Sequence, residues 1–147
     1  MSHAFSQNQV HVVFSTKDRR KTVAKGLQPE LWAYLAGIAT NHDMVALAAG
    51  GTENHVHVLL RLPPKLALAK AVLLLKANSS KWAGERVRGF SWQEGYGAFS
   101  VSASNADKVV RYIQNQPAHH RRISFEDEFR SLLRKHGLEY DPKFVFG

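Results

Sequence analysis

Apolar and polar positions alternate along the chain in a way that predicts eight elements. Val10, Val12, Val13 and Phe14 make Gln9 to Ser15 a strand, followed by the polar loop Lys17 to Lys21. Pro29 then sits where a first helical turn tolerates it, and Leu31, Trp32, Leu35 and Ile38 recur at helical spacing, so a helix runs from Pro29 to Asn41. The apolar run Met44 to Ala49 is closed by Gly50-Gly51, and a second run, His55 to Leu62, ends at Pro63-Pro64. The two pair as antiparallel strands. Leu66 to Trp82 is a second helix, with Leu66, Ala69, Leu73, Lys76 and Ser80 on successive turns and no internal Gly or Pro.

Gly84 to Gly97, a mix of glycine, arginine and aromatics, reads as a long surface loop, and Ala98 to Ser102 as a fourth strand. Asn105 is expected to cap a third helix, Ala106 to Gln116, with Val109, Val110 and Ile113 inward and Pro117 ending it. A last helix covers Phe125 to His136, with Gly137 at its end, and the apolar tail Phe144-Val145-Phe146 must pack somewhere. The order strand, helix, strand, strand, helix, strand, helix, helix implies an α+β fold. It is a split βαβ antiparallel sheet with two helices on one face and further helices after the fourth strand. No repeat, linker or low-complexity tract interrupts it, so residues 1–147 form a single domain.

Composition narrows the function. With 44% hydrophobic residues the chain can bury a real core. Twenty Lys and Arg against 12 Asp and Glu leave a net charge of +8 and a pI near 10.0, which makes a polyanion, nucleic acid first, the expected partner. There is no cysteine, which excludes disulfides, thiolate metal sites and cysteine nucleophiles. The first residues carry no basic start followed by an apolar stretch, and the apolar segment Leu66 to Leu75 is interrupted by Lys70, so a cytoplasmic protein with no membrane partner is expected.

The candidate chemistry begins at His55-Val56-His57. Two imidazoles one residue apart on a strand share a face, opposite Val56, Val58 and Leu60, and both can reach one metal ion. The rival reading leaves them partly exposed on a sheet surface. Tyr112 and Gln116, at i and i+4 of a helix, share a face of their own. The Gln116 carboxamide oxygen can complete a His-His-Gln set, for which nitrogen and oxygen ligands favour Mn²⁺, with Mg²⁺ served more by oxygen. The Tyr112 oxygen can attack a phosphodiester whose charge such an ion offsets; alternatively its ring simply packs against the sheet.

Lys17, Arg19, Arg20, Lys76, Lys81, Arg111, Arg121 and Arg122 are candidate phosphate contacts, interleaved with Trp82, Phe90, Trp92 and Tyr96 able to stack on unpaired bases. Two other classes compete. One is a non-catalytic single-stranded nucleic-acid-binding module, suggested by Gly95-Tyr96-Gly97-Ala98-Phe99. The other is a histidine-based hydrolase, which would want further Asp and His ligands nearby, where Leu59 stands instead.

Taken together, His55 to Leu60 before Pro63-Pro64, the Lys76/Ser79/Ser80 helix, Trp92 to Ser100, Tyr112-Ile113-Gln114-Asn115-Gln116 and the early Val12 to Arg20 resemble the single-tyrosine HUH transposases. That group includes small insertion-sequence enzymes acting on single-stranded DNA and REP-associated tyrosine transposases. The resemblance implies a ferredoxin-like fold and a homodimer whose sheets join. It also implies His55, His57 and Gln116 as ligands of Mg²⁺ or Mn²⁺, Tyr112 as the nucleophile that joins a DNA 5′ phosphate, and hairpin DNA as substrate. The segment after Tyr112, ending Glu139-Tyr140-Asp141-Pro142-Lys143-Phe144, is longer than in the most compact members.

Overall fold

The computed structural model describes residues 4–146; of the amino-terminal stretch read for a targeting signal, Met1 to His3 lie outside it. Four strands, β1 (Gln9–Ser15), β2 (Val45–Gly51), β3 (His55–Arg61) and β4 (Gly97–Val101), form one antiparallel sheet in the order β2-β3-β1-β4. α1 (Gln28–Asn41) and α2 (Leu68–Gly84) follow β1 and β3, as the split βαβ pattern requires. After β4 come α3 (Ala106–Gln114), the single turn α4 (Gln116–His119) and α5 (Phe125–Lys135). Among the described residues no helix is long and apolar enough to cross a membrane.

Strand alternation sends the two sheet faces to different partners. Val10, Val12 and Phe14 of β1 and Val56, Val58 and Leu60 of β3 pack against Leu31, Leu35 and Ile38 of α1 and Ala71, Val72 and Leu75 of α2. The opposite face is thinner in carbon: Val13 and Phe99 meet Phe125 and Leu133 of α5, with Phe129, Leu132 and Tyr140 around them. The apolar tail packs here through Val145 and Phe146, while Phe144 stays exposed. Phe146 lies between two guanidinium groups, those of Arg19 and Arg130, each 5.0 Å from its ring centroid.

A β-bulge between Ala46 and Ala48 shifts β2 so that Gly50 pairs with His57 and Gly51 with Val56. Without that extra residue every later β2 position would turn to the other face. Gly50 therefore stands beside His57 on the face that α3 covers, and a Cβ there would lie 2.7 Å from the Ile113 carbonyl oxygen. The missing side chain is what lets the α3 backbone descend onto the sheet.

Several boundaries differ from the sequence pattern. Residues 84 to 97 are not a free surface loop: Phe90 and Trp92 are buried, Trp92 Nε1 donates to Ser79 Oγ at 2.9 Å, and Thr16 bridges to Trp92. Asn105 makes no side-chain cap; it ends a 3-10 turn, Ala103–Asn105, that leads into α3. On α3 only Ile113 is fully buried, with Val109 and Val110 half-buried. Pro117 does not terminate that helix directly. α3 ends at Gln114, and Gln116-Pro117 open α4, where a first-turn proline loses no hydrogen bond.

Candidate functional site

His55 and His57 are 1% and 0% exposed, so the reading that left them partly exposed on a sheet surface does not hold. They lie under a roof made by α3, α4 and α5. The point on which this roof converges is Glu128 of α5, itself 2% exposed. Its Oε1 is 3.0 Å from His57 Nε2, 3.0 Å from His120 Nε2 and 3.5 Å from His55 Nε2. Its Oε2 accepts a hydrogen bond from the Tyr112 hydroxyl and another, at 2.8 Å, from Gln116 Nε2. Gln116 Oε1 in turn lies 2.8 Å from His55 Nε2. The sequence-predicted Tyr112, His55, His57 and Gln116 are thus brought together within one chain, although Tyr112 and Gln116 belong to successive helices rather than one.

The far nitrogens fix the rings. Asn54 Nδ2 donates to the Arg19 carbonyl, which turns Asn54 Oδ1 toward His55 Nδ1 at 2.9 Å. His120 Nδ1 donates to the Ile123 carbonyl at 2.8 Å. With a proton committed at Nδ1 of each ring, neutral His55 aims an Nε2 lone pair inward at oxygens that are also acceptors. His120 reaches Glu128 Oε1 through a second nitrogen that either carries a proton or offers a lone pair to a cation. His57 Nδ1 is 2.8 Å from Nε2 of His11, a buried imidazole on β1 whose ring also meets Tyr112 edge-on.

Converging lone pairs need a positive centre, and either protons or a cation can supply it. The four groups His55, His57, His120 and Glu128 each offer an atom, all within 4.8 Å of one another, so the donor set fits a divalent ion with nitrogen and oxygen preference.

The electrostatics of the site follow from burial and from Glu128. Burial, reinforced by His57, holds His11 and His55 down to about 3, so both are neutral near pH 7. Burial alone would raise the Glu128 carboxyl, but hydrogen bonds from His120 and His57 outweigh it and hold the group well below the usual carboxylate range. His120 is raised: burial disfavours its cation, and the Glu128 hydrogen bond and charge more than compensate. Burial and the neighbouring Glu128 push the Tyr112 hydroxyl far above the ordinary tyrosine value.

The eight candidate phosphate contacts are scattered. Lys17 and Arg20 are exposed beside the turn after β1, and Lys81, Arg111, Arg121 and Arg122 are exposed on or beside helices. Arg19 is half-buried; it donates to the Phe146 carbonyl at 3.1 Å and lies 3.9 Å from Glu126. Lys76 spends its ammonium on the Gln93 and Gly95 carbonyls, at 2.6 and 3.0 Å, and burial lowers its pKa. Arg19 and Arg121 line, with Lys21 and Lys25 and with the acidic Asp18, Glu53 and Glu126, a groove of 830 Å³ that reaches Asn54 and His120.

Sequence reasoning missed His11, His120 and Glu128. Glu128 interrupts the stripe Phe125, Phe129, Leu132, Leu133, occupying the i+3 position of an otherwise apolar face, which marks a carboxylate turned inward. His11 has the same parity on β1 as Val13, and so shares the face of the β3 histidines.

Comparison with known proteins agrees with this architecture. Solved structures with the same fold include a Deinococcus radiodurans R1 protein assigned as a transposase. Its TM-score is 0.64 at 22% identity, covering 79% of this chain and 95% of that one. Another is a REP-associated tyrosine transposase bound to a REP hairpin, with a TM-score of 0.61 at 13% identity, covering 82% of this chain and 73% of that one. The transposases for insertion sequence element IS200 from Salmonella typhimurium and Salmonella typhi are each 27% identical over 125 residues, 79% of this chain and 81% of theirs. Residues 4–116, which hold the whole sheet, His55, His57, Tyr112 and Gln116, match the family model for IS200-like transposases, and the chain belongs to that family.

Proposed function

We propose that this transposase cleaves and rejoins single-stranded DNA at hairpin-bearing ends through a covalent 5′-phosphotyrosine at Tyr112, with a divalent ion, Mg²⁺ or Mn²⁺, held by His55, His57 and Gln116. The observation that carries the reading is convergence: the Tyr112 hydroxyl and both His55 and His57 reach the same buried carboxylate, Glu128. When bound, the ion supplies Lewis-acid polarisation of the phosphate.

Tyr112 acts as nucleophile. Its hydroxyl proton leaves as the Oη–P bond forms, the P–O3′ bond breaks, and the departing 3′ oxygen takes up a proton. Rejoining is the reverse, with a 3′ hydroxyl displacing the tyrosine oxygen. One phosphoester P–O bond replaces another at each step, so no nucleotide cofactor is called for. The groove is of mixed charge, Asp18, Glu53 and Glu126 lining it beside the cations, and within it the exposed Arg121 and Lys21 are the contacts for a DNA phosphate near His120. A homodimer partner, which the family resemblance implies, belongs to this proposal too, although the tyrosine reaches the imidazoles without one.

The test is covalent capture. Incubated with single-stranded hairpin DNA and Mn²⁺ or Mg²⁺, the chain is expected to form a denaturation-resistant protein–DNA adduct, which Tyr112→Phe abolishes. Binding of that DNA with no adduct under either metal would favour the non-catalytic module instead.

A further inference from the structure

Glu128 lies beyond residues 4–116, the segment that matches the family model, and arrives on a helix of its own. Its position is nevertheless central. An ion with bonds of about 2.1 Å places neighbouring donor atoms about 3.0 Å apart in octahedral and about 3.4 Å apart in tetrahedral geometry. Glu128 Oε1 stands 3.0, 3.0 and 3.5 Å from the Nε2 atoms of His57, His120 and His55. Those separations suit atoms sharing an ion as well as the imidazole–carboxylate hydrogen bonds that hold the site together, so a cation can take the place of the bridging protons without moving the donors. The other carboxylate oxygen is already occupied, accepting from the Tyr112 hydroxyl and from Gln116 Nε2.

We infer that Glu128 is an anionic ligand of the divalent ion, binding through Oε1, while its Oε2 holds the Tyr112 hydroxyl against the metal centre within the same chain. The inference rests on the metal centre proposed above and adds to it a ligand from outside the family-matched segment. One carboxylate then couples nucleophile to ion: Oε1 fixes the cation relative to His55 and His57, and Oε2 fixes the tyrosine oxygen relative to both. A single negative charge against three neutral donors also strengthens the hold on a hard cation such as Mn²⁺ or Mg²⁺, for which a carboxylate is a better ligand than a carboxamide.

The experiment is a calorimetric titration of the full chain with Mn²⁺ in the absence of DNA. Glu128→Gln keeps the size of the side chain but removes its charge and leaves one acceptor oxygen in place of two. It is expected to weaken Mn²⁺ binding by about tenfold or more, the scale that loss of even an outer partner of a metal ligand produces. Unchanged affinity, within about twofold, in a variant whose circular dichroism matches the wild type overturns the inference. Should that variant fail to fold, the wild-type complex with Mn²⁺ decides by crystallography. Glu128 Oε1 bonded to the ion supports the inference; an ion held by His55, His57 and Gln116 with Glu128 outside bonding distance overturns it. Neither measurement involves DNA, so the ligand role of Glu128 and the adduct at Tyr112 stand or fall separately.

Discussion

At the scale of single residues, the cost of this site falls on its imidazoles. His11 and His55 are buried neutral with pKa values near 3, against an unperturbed value of 6.5. The unfolded chain therefore binds protons that the folded chain refuses between those limits, so stability is full above pH 6.5 and is lost as pH falls toward 3. Glu128 acts in the same direction at lower pH, because its depressed pKa contributes stability above the ordinary carboxylate value that is lost only in stronger acid. His120 has the opposite sign: its raised pKa contributes below pH 6.5 and that contribution is lost as pH rises through the folded value. Urea unfolding of the metal-free chain is expected to give a stability lower by about 2–5 kcal/mol at pH 4.5 than at pH 7.5. Equal values at the two pH settings would contradict the burial of neutral imidazoles.

Among the elements, α5 has a role out of proportion to its 11 residues, since it carries Glu128 and its apolar stripe covers the imidazole face. Its start is fixed by Ser124, whose Oγ accepts from the Asp127 backbone N–H at 3.1 Å, and its acidic first turn and basic last turn suit the helix dipole. Ser124→Ala is expected to cost about 1 kcal/mol, read as a fall in Tm of about 3–5 °C. No change in Tm would mean that tertiary packing alone sets the start of α5. The four strands and the long helices were legible in the sequence because a two-residue or 3.6-residue period is imposed by burying one face. So was the pairing of His55 and His57 with Tyr112 and Gln116, through their spacing and the resemblance. What stayed hidden depends on contacts distant in sequence. The loop ending in Trp92 looks polar and glycine-rich, yet Ser79 and Lys76 hold it down. The place of Glu128 in the apolar stripe of α5 turns it inward, but the groups it meets there are set only once β3 and α3 are folded beneath it.

Across the whole molecule, the sheet separates two kinds of work. One face carries the large apolar cluster under α1 and α2, and the other carries the polar convergence under α3 to α5. The surplus of +8 is spread over both sides, so cations differ in what they can do. Arg121, exposed in the groove beside His120, is available to a phosphate, whereas Lys76 is committed to two carbonyls. Arg121→Ala is expected to weaken single-stranded DNA binding evenly across sequences and to flatten the log K against log salt slope by about 0.7–1. Lys76→Ala should instead lower thermal stability and leave that slope unchanged. The reverse assignment of effects would place the DNA on the α2 side. Finally, where Gly50 admits the Ile113 carbonyl, the height at which α3 sits over the imidazole face is set by peptide atoms that every sequence shares. Side chains around that contact can therefore change without altering the spacing between helix and sheet.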